Sequence, residues 1–255
     1  MLSFVSFLQS GNVVAFMLLF FRFGGLFLTA PIFSHTTIPM KLKVALAFFF
    51  SVIFFQSVPQ LNIPITVPSI IIAILSELLL GLVIGLVLQL AYNVITFAGG
   101  IISFMMGFSM ATAIDPQNGV SMPIVSQFLS LLALMVLFSL NLHHWLILYI
   151  DKSLHYIPLG GFLMTEHILR YTMQAAGHMF LVGFLIAFPI VALSLLADLI
   201  FGMLMKTMPQ FNLLVIGFPI KIMVSFVILI ATLASIMILL KGEIVDAFNG
   251  LELFF

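Results

Sequence analysis

The chain has no cysteine and very little charge: Asp, Glu, Lys and Arg make up 6% of its 255 residues and cancel to a formal net charge of zero. The missing cysteine excludes disulfides, thiolate metal sites and cysteine nucleophiles, and says nothing about where the loops reside. The scarcity of charge excludes nucleic acid as a partner, because eight Lys and Arg spread along the chain form no phosphate-neutralising stripe. It also excludes a soluble monomer, since a globular domain carries about 25% charged residues. What fills the sequence is apolar, 64% of all positions. Apolar runs at 13–33, 44–58, 70–106, 124–150, 178–205 and 211–240 are separated by short breaks rich in Pro, Gly, Asn and the few charges. Each run reads as a helix, and the whole as an all-α protein of integral-membrane type with no soluble domain. The first run does not read as a cleavable signal peptide, because residues 1–12 carry no Lys or Arg and the run is too long for a signal core.

The runs are not uniform spans. The run 44–58 is short, whereas 70–106, at about 1.5 Å per residue, reaches far beyond a hydrocarbon core of about 30 Å. It either breaks at Gly99-Gly100 or stands proud of the membrane as one arm of a tall hairpin. Loop charges do not orient the chain either. In a six-span scheme Lys41, Lys43 and Lys206 fall on one side and Lys152, Arg170 and Lys241 on the other.

Four charges, Arg22, Glu77, Asp198 and Lys221, lie inside apolar runs. Each costs about 2.5–3.5 kcal/mol or more in lipid, so each needs a partner in the same chain or in a neighbour, and the pairing is not readable from sequence. Structural ion pairing is favoured over proton relay for Glu77 and Asp198, which have no His or water-chain neighbours in sequence. Glu77, Gly81, Gly85 and Gln89 recur every four residues as a small and polar stripe, a surface for close helix approach within the chain or to another subunit.

Residues 107–123 differ from their surroundings. Asp115-Pro116 and Asn118-Gly119 are turn dipeptides, yet Phe108, Met110, Ile114, Val120 and Met122 are apolar beyond the needs of a solvated loop. With Met105 and Met106 they form a thioether-rich surface able to close around irregular shapes. Gly107-Phe108-Ser109-Met110 is only a loose match to a serine-nucleophile motif, and nothing in sequence orients His178 as its base. His143 and His144 are adjacent and no H-E-x-x-H occurs, so with Trp145 and Tyr149 they read as an interfacial aromatic belt, and no metal or cofactor is expected.

The loop, the stretch Arg22-Phe23-Gly24-Gly25-Leu26 running to Ala30-Pro31-Ile32-Phe33, and the late stretch Ala197-Asp198-Leu199-Ile200-Phe201-Gly202 resemble the FliR family of flagellar export-gate proteins and its counterparts in virulence-type type III secretion. The likeness continues through Pro209-Gln210-Phe211-Asn212 and Gly217-Phe218-Pro219-Ile220-Lys221 and covers essentially the whole chain. It implies a core subunit, not an enzyme, of a hetero-oligomeric helical gate for unfolded export substrates in the bacterial inner membrane. In that family the chain is similar to a fusion of P-type and Q-type gate subunits, here a single domain 1–255 with a P-like portion 1–177 and a Q-like hairpin and tail 178–255. P-type and Q-type subunits and an FlhB-type switch protein are the implied partners, and much of the assembly stands on the periplasmic side. The family's plug maps onto 107–123; on physical grounds Met105, Met106, Phe108, Met110 and Met122 are expected to close the passage, Asp115 and Asn118 to fix the turn, and Gly107 and Gly119 to act as hinges, beside Ser109, Pro116 and Pro123. The alternative is a secondary transporter or channel for a small solute, on the strength of Phe188-Pro189-Ile190 and Phe218-Pro219-Ile220 as two helix breaks.

Overall fold

A computed structural model describes residues 10–34, 38–58, 66–108, 123–208 and 213–254. Among these residues there is no strand. The helices are α1 (Ser10–Thr29), α2 (Met40–Phe54), α3 (Val67–Met105), α4 (Ile124–Ser139), α5 (Leu142–Tyr156), α6 (Glu166–Thr207) and α7 (Phe218–Leu251). By length and composition five helices are able to cross a membrane, or six if the bent pair α4 and α5 counts as one span.

Local chemistry explains the helix ends. Ser69 ties down the start of α3: the Thr66 backbone N–H donates to Ser69 Oγ at 3.2 Å, and Ser69 Oγ lies 2.8 Å from the Thr66 carbonyl, to which it donates. Thr165 caps α6, its hydroxyl accepting from the Ile168 N–H at 3.4 Å, with Glu166 in the first turn where the helix dipole favours an anion. The apolar run 124–150 is broken into α4 and α5, bent by 59°, at Asn141, which takes a left-handed conformation with φ 54°. Asn tolerates that region better than the apolar residues around it.

Two breaks that the sequence left open are absent. The helix α3 runs 39 residues without interruption through Gly99-Gly100, about 58 Å at the standard rise. Gly99 serves a close contact instead, for an added Cβ there stands 2.5 Å from Ser126 Cα of α4, while Gly100 faces open space. Likewise Pro189 lies inside the continuous α6. Pro219 occupies the second position of α7, after a π-helical turn Leu213–Gly217, so the two Phe-Pro-Ile repeats do not make equivalent breaks.

The chain divides into two compact units. The first comprises 1–90, 137–175 and 245–255, and the second 91–136 and 176–244. In the first, α1 packs on α2 through a Phe cluster in which Phe23 lies against Phe27, Phe50 and Phe54 at ring separations of 5.5–6.1 Å. In the second, α3 and α4 are joined by two side-chain hydrogen bonds, Tyr92 OH to the Ser130 carbonyl at 3.0 Å and Ser126 Oγ to the Thr96 carbonyl at 2.8 Å. Much apolar surface stays uncovered: only 11% of the apolar window of α2 and 17% of that of α7 are buried within the chain.

Candidate functional site

Three features of the sequence carry chemistry: the intrahelical charges, the small-residue stripe and the segment 107–123. The structure resolves the charges into two pairs of different character. In the first unit, Glu77 of α3 takes two hydrogen bonds from Arg22 of α1, one from Nε to Oε2 and one from Nη2 to Oε1 at 3.0 Å. Neither side chain has any exposed surface. Two further guanidinium donors go to Ser153 Oγ at 3.0 Å and to the Ile157 carbonyl at 3.1 Å, and Glu77 Oε1 also accepts from the Gly160 backbone N–H at 2.6 Å. A buried pair is tolerable when geometry is bidentate and further hydrogen bonds satisfy its other donors and acceptors; here the contact is bidentate and both Nη atoms reach further acceptors. Ser153, Ile157 and Gly160 escaped the sequence reading. The one available signal was Gly160 in a Pro-Leu-Gly-Gly turn, where it adopts φ 76° and so aims its N–H at the carboxylate.

The stripe explains how Arg22 and Glu77 come so close. Gly25 of α1 and Gly81 of α3 face each other, and an added Cβ on Gly25 would stand 2.5 Å from the Leu78 carbonyl oxygen. A Cβ on Gly81 would run into the Arg22 carbonyl, and one on Gly85 into Thr29. Thr29 Oγ1 reaches the Leu82 carbonyl at 3.2 Å, and Ser34 Oγ donates to Gln89 Oε1 at 2.9 Å. The whole stripe Glu77, Gly81, Gly85, Gln89 is therefore met by α1 and the turn after it, inside the chain.

In the second unit Lys221 of α7 donates to both oxygens of Asp198 of α6, at 2.8 and 2.9 Å. The lysine side chain is 9% exposed and the aspartate 55%. Asp198 thus opens outward among exposed Leu195, Leu196 and Leu199. Further along the same two helices His178 Nε2 lies 3.0 Å from Glu243 Oε2, a carboxylate that sequence gave no reason to place beside His178. Asp198 facing Lys221 and His178 facing Glu243 make α6 and α7 an antiparallel hairpin.

Of the segment 107–123, Ser109, Met110, Asp115, Pro116, Asn118, Gly119 and Met122 lie outside the described residues. Its ends are defined. α3 finishes in a Schellman stop: the Gly107 N–H donates to the Phe104 carbonyl at 3.0 Å, the Phe108 N–H to the Ser103 carbonyl at 3.1 Å, and Gly107 takes φ 88°. Met106 is fully buried and Met105 half-buried, whereas Phe104 is exposed. Pro123 opens α4, its carbonyl accepting from the Gln127 N–H at 2.9 Å. Tyr149, read from sequence as part of an aromatic belt, is buried and donates to the Leu251 carbonyl, while Trp145 is exposed and stands edge-on to Phe248. Among the described residues no three His, Asp or Glu side chains gather as a metal site.

A model of the family described as bacterial export proteins, family 1, matches residues 13–247. The chain is 34% identical over 234 residues to the flagellar biosynthetic protein FliR of Bacillus subtilis strain 168, covering 89% of each. It is 30% identical over 208 residues to FliR of Escherichia coli K12, covering 82% of this chain and 80% of that one. To FliR of Caulobacter vibrioides it is 28% identical, covering 91% and 93%. With intrahelical charges, close-packed glycines and membrane-length helices lying in the matched span, the chain belongs to the bacterial export proteins of family 1, the family of the flagellar biosynthetic protein FliR.

Proposed function

We propose that the chain is a core subunit of the flagellar protein export gate in the bacterial inner membrane, assembling with P-type and Q-type subunits around a passage for unfolded polypeptides. An FlhB-type switch protein sits at the entrance of that passage, and much of the assembly is raised toward the periplasm. Portion 1–177 takes the place of a P-type subunit and 178–255 that of a Q-type hairpin, a reading supported by the antiparallel pairing of α6 and α7.

The observation that carries the reading is Asp198. A carboxylate more than half exposed on an outward apolar face of a membrane-length helix is costly against lipid, by about 2.5–3.5 kcal/mol, and its bonds to Lys221 leave that exposure in place. A face of this kind suits a neighbouring protein helix that brings a donor, and the sparsely buried α2 and α7 add apolar surface for further neighbours.

In this reading the segment 107–123 plugs the passage. Apolar, unbranched side chains seal against ions and yield to a polypeptide of any sequence, because a hydrophobic constriction closes by dewetting. Met105, Met110 and Met122 supply that surface; Met106 is already committed to the interior of the chain.

Purification of the tagged chain from native membranes, with masses measured on the intact complex, tests the proposal. A fixed-ratio assembly with P-type and Q-type subunits is expected. A monodisperse, self-sufficient chain that transports a small solute overturns it.

A further inference from the structure

In the first unit α5 and the end of α7 run side by side in the same direction. The Trp145 ring stands edge-on to Phe248 with centroids 5.5 Å apart, Tyr149 one turn on donates to the Leu251 carbonyl, and Lys152 Nζ lies 3.0 Å from Glu252 Oε1. A groove of about 240 Å³ follows this seam, and Trp145, Leu148, Lys152, Phe248, Asn249 and Glu252 are among its walls. Its chemistry changes along its length, from carbon at the Trp145 end to one cation, one anion and an amide at the other. The Lys152 and Glu252 side chains are 59% and 58% exposed, so their contact leaves each open to a further partner, and an exposed ion pair of this kind is held weakly.

A passage from apolar to charged over two helical turns matches a lipid at the border of a bilayer, the level at which an exposed Trp also sits. One cation beside one anion at the polar end matches a headgroup that itself carries both signs. We propose that the groove binds a zwitterionic phospholipid with a primary-amine headgroup, a phosphatidylethanolamine, with its phosphate on Lys152, its ammonium on Glu252 and the start of an acyl chain along Leu148 and Trp145. A primary ammonium donates hydrogen bonds that a carboxylate accepts, whereas the trimethylammonium of a choline lipid has none to donate. A lipid with a net negative headgroup meets Lys152 but is opposed by Glu252. The groove is smaller than the about 300–1,000 Å³ of a site that encloses a whole small molecule, as suits one that holds a headgroup while the tail follows the helix surface. The inference needs these helices in a bilayer and is independent of the gate reading.

Trp145 is the single tryptophan of the chain, which gives the groove its own reporter. Fluorescence quenching by brominated lipid is measured in nanodiscs on the complex as purified, and the same signal from Trp145→Phe is subtracted, so that tryptophans of other subunits cancel. Brominated phosphatidylethanolamine is expected to quench the difference signal at a several-fold lower lipid fraction than brominated phosphatidylcholine or phosphatidylglycerol.

Glu252→Gln is expected to abolish the preference for the ethanolamine lipid and to move it toward phosphatidylglycerol, because Lys152 then stands without its anion. Lys152→Gln is expected to abolish the preference without that move. Both side chains are exposed, and if one variant fails to fold the other decides. Equal quenching by the three lipids in the parent, or a preference unchanged by either variant, overturns the proposal. Quenching by none of them, the result of a neighbouring protein covering the groove, overturns it as well. A chain that purifies without other subunits sinks the gate reading alone, and the same measurement on that chain still decides the lipid site.

Discussion

Arg22 and Glu77 form a two-point ion pair in which neither side chain retains any contact with the surroundings of the chain, and the two groups reach further to Ser153, Ile157 and Gly160. Removing one partner leaves an uncompensated charge in a dry site, at a cost of about 3–5 kcal/mol. Arg22→Ala and Glu77→Ala are expected to lower the yield of assembled complex sharply, read by size-exclusion of detergent extracts. The double change Arg22→Met with Glu77→Leu is expected to recover part of it. Full yield from either single variant contradicts the role given to the pair.

The contact of Gly25 with Gly81 makes a sharper steric prediction. Gly81→Val places carbon against the Arg22 carbonyl and forces α1 away from α3, an overpacking cost of about 1–3 kcal/mol or more, since the obstacle is backbone. Gly24→Ala and Gly100→Ala meet nothing within 4 Å and are expected to leave thermal stability of the complex unchanged or slightly raised. Equal behaviour of all three variants would falsify the close approach.

Asp198 separates structural pairing from proton relay. Asp198→Arg sets two cations together and is expected to abolish copurification with neighbouring subunits, while Asp198→Asn keeps an acceptor for Lys221 and retains part of it. A variant that assembles fully yet exports without dependence on the proton gradient points to relay.

Asn141 offers a test of backbone strain. At φ 54° a β-branched residue is disfavoured by about 1–2 kcal/mol, so Asn141→Val is expected to destabilise and Asn141→Gly to be tolerated, read by thermal unfolding of the purified complex. If both variants melt with the parent, the bend between α4 and α5 is not set there.

Helix content was legible because long apolar runs leave few other choices, and all six runs correspond to helices or to the bent pair. Helix ends were less so. Asn141 breaks a run that composition reads as continuous, whereas Gly99-Gly100 and Pro189 look like breaks and are not, because Gly99 is spent on contact with Ser126 and the rest of α6 holds its helix across one missing donor. The intrahelical charges were visible as anomalies, but their partners were not, since Arg22 and Glu77 are brought together by glycines whose role appears only once α1 and α3 cross. Exposure was the least legible property: Asp198 and Glu77 look alike in sequence, and one is open while the other is sealed.

The separation of Arg22 from Glu77 by 55 positions constrains how the protein is made. Until α3 has been made, the Arg22 guanidinium has no Glu77 carboxylate to meet, so α1 by itself carries the about 2.5–3.5 kcal/mol that a lone arginine costs at the centre of a membrane helix.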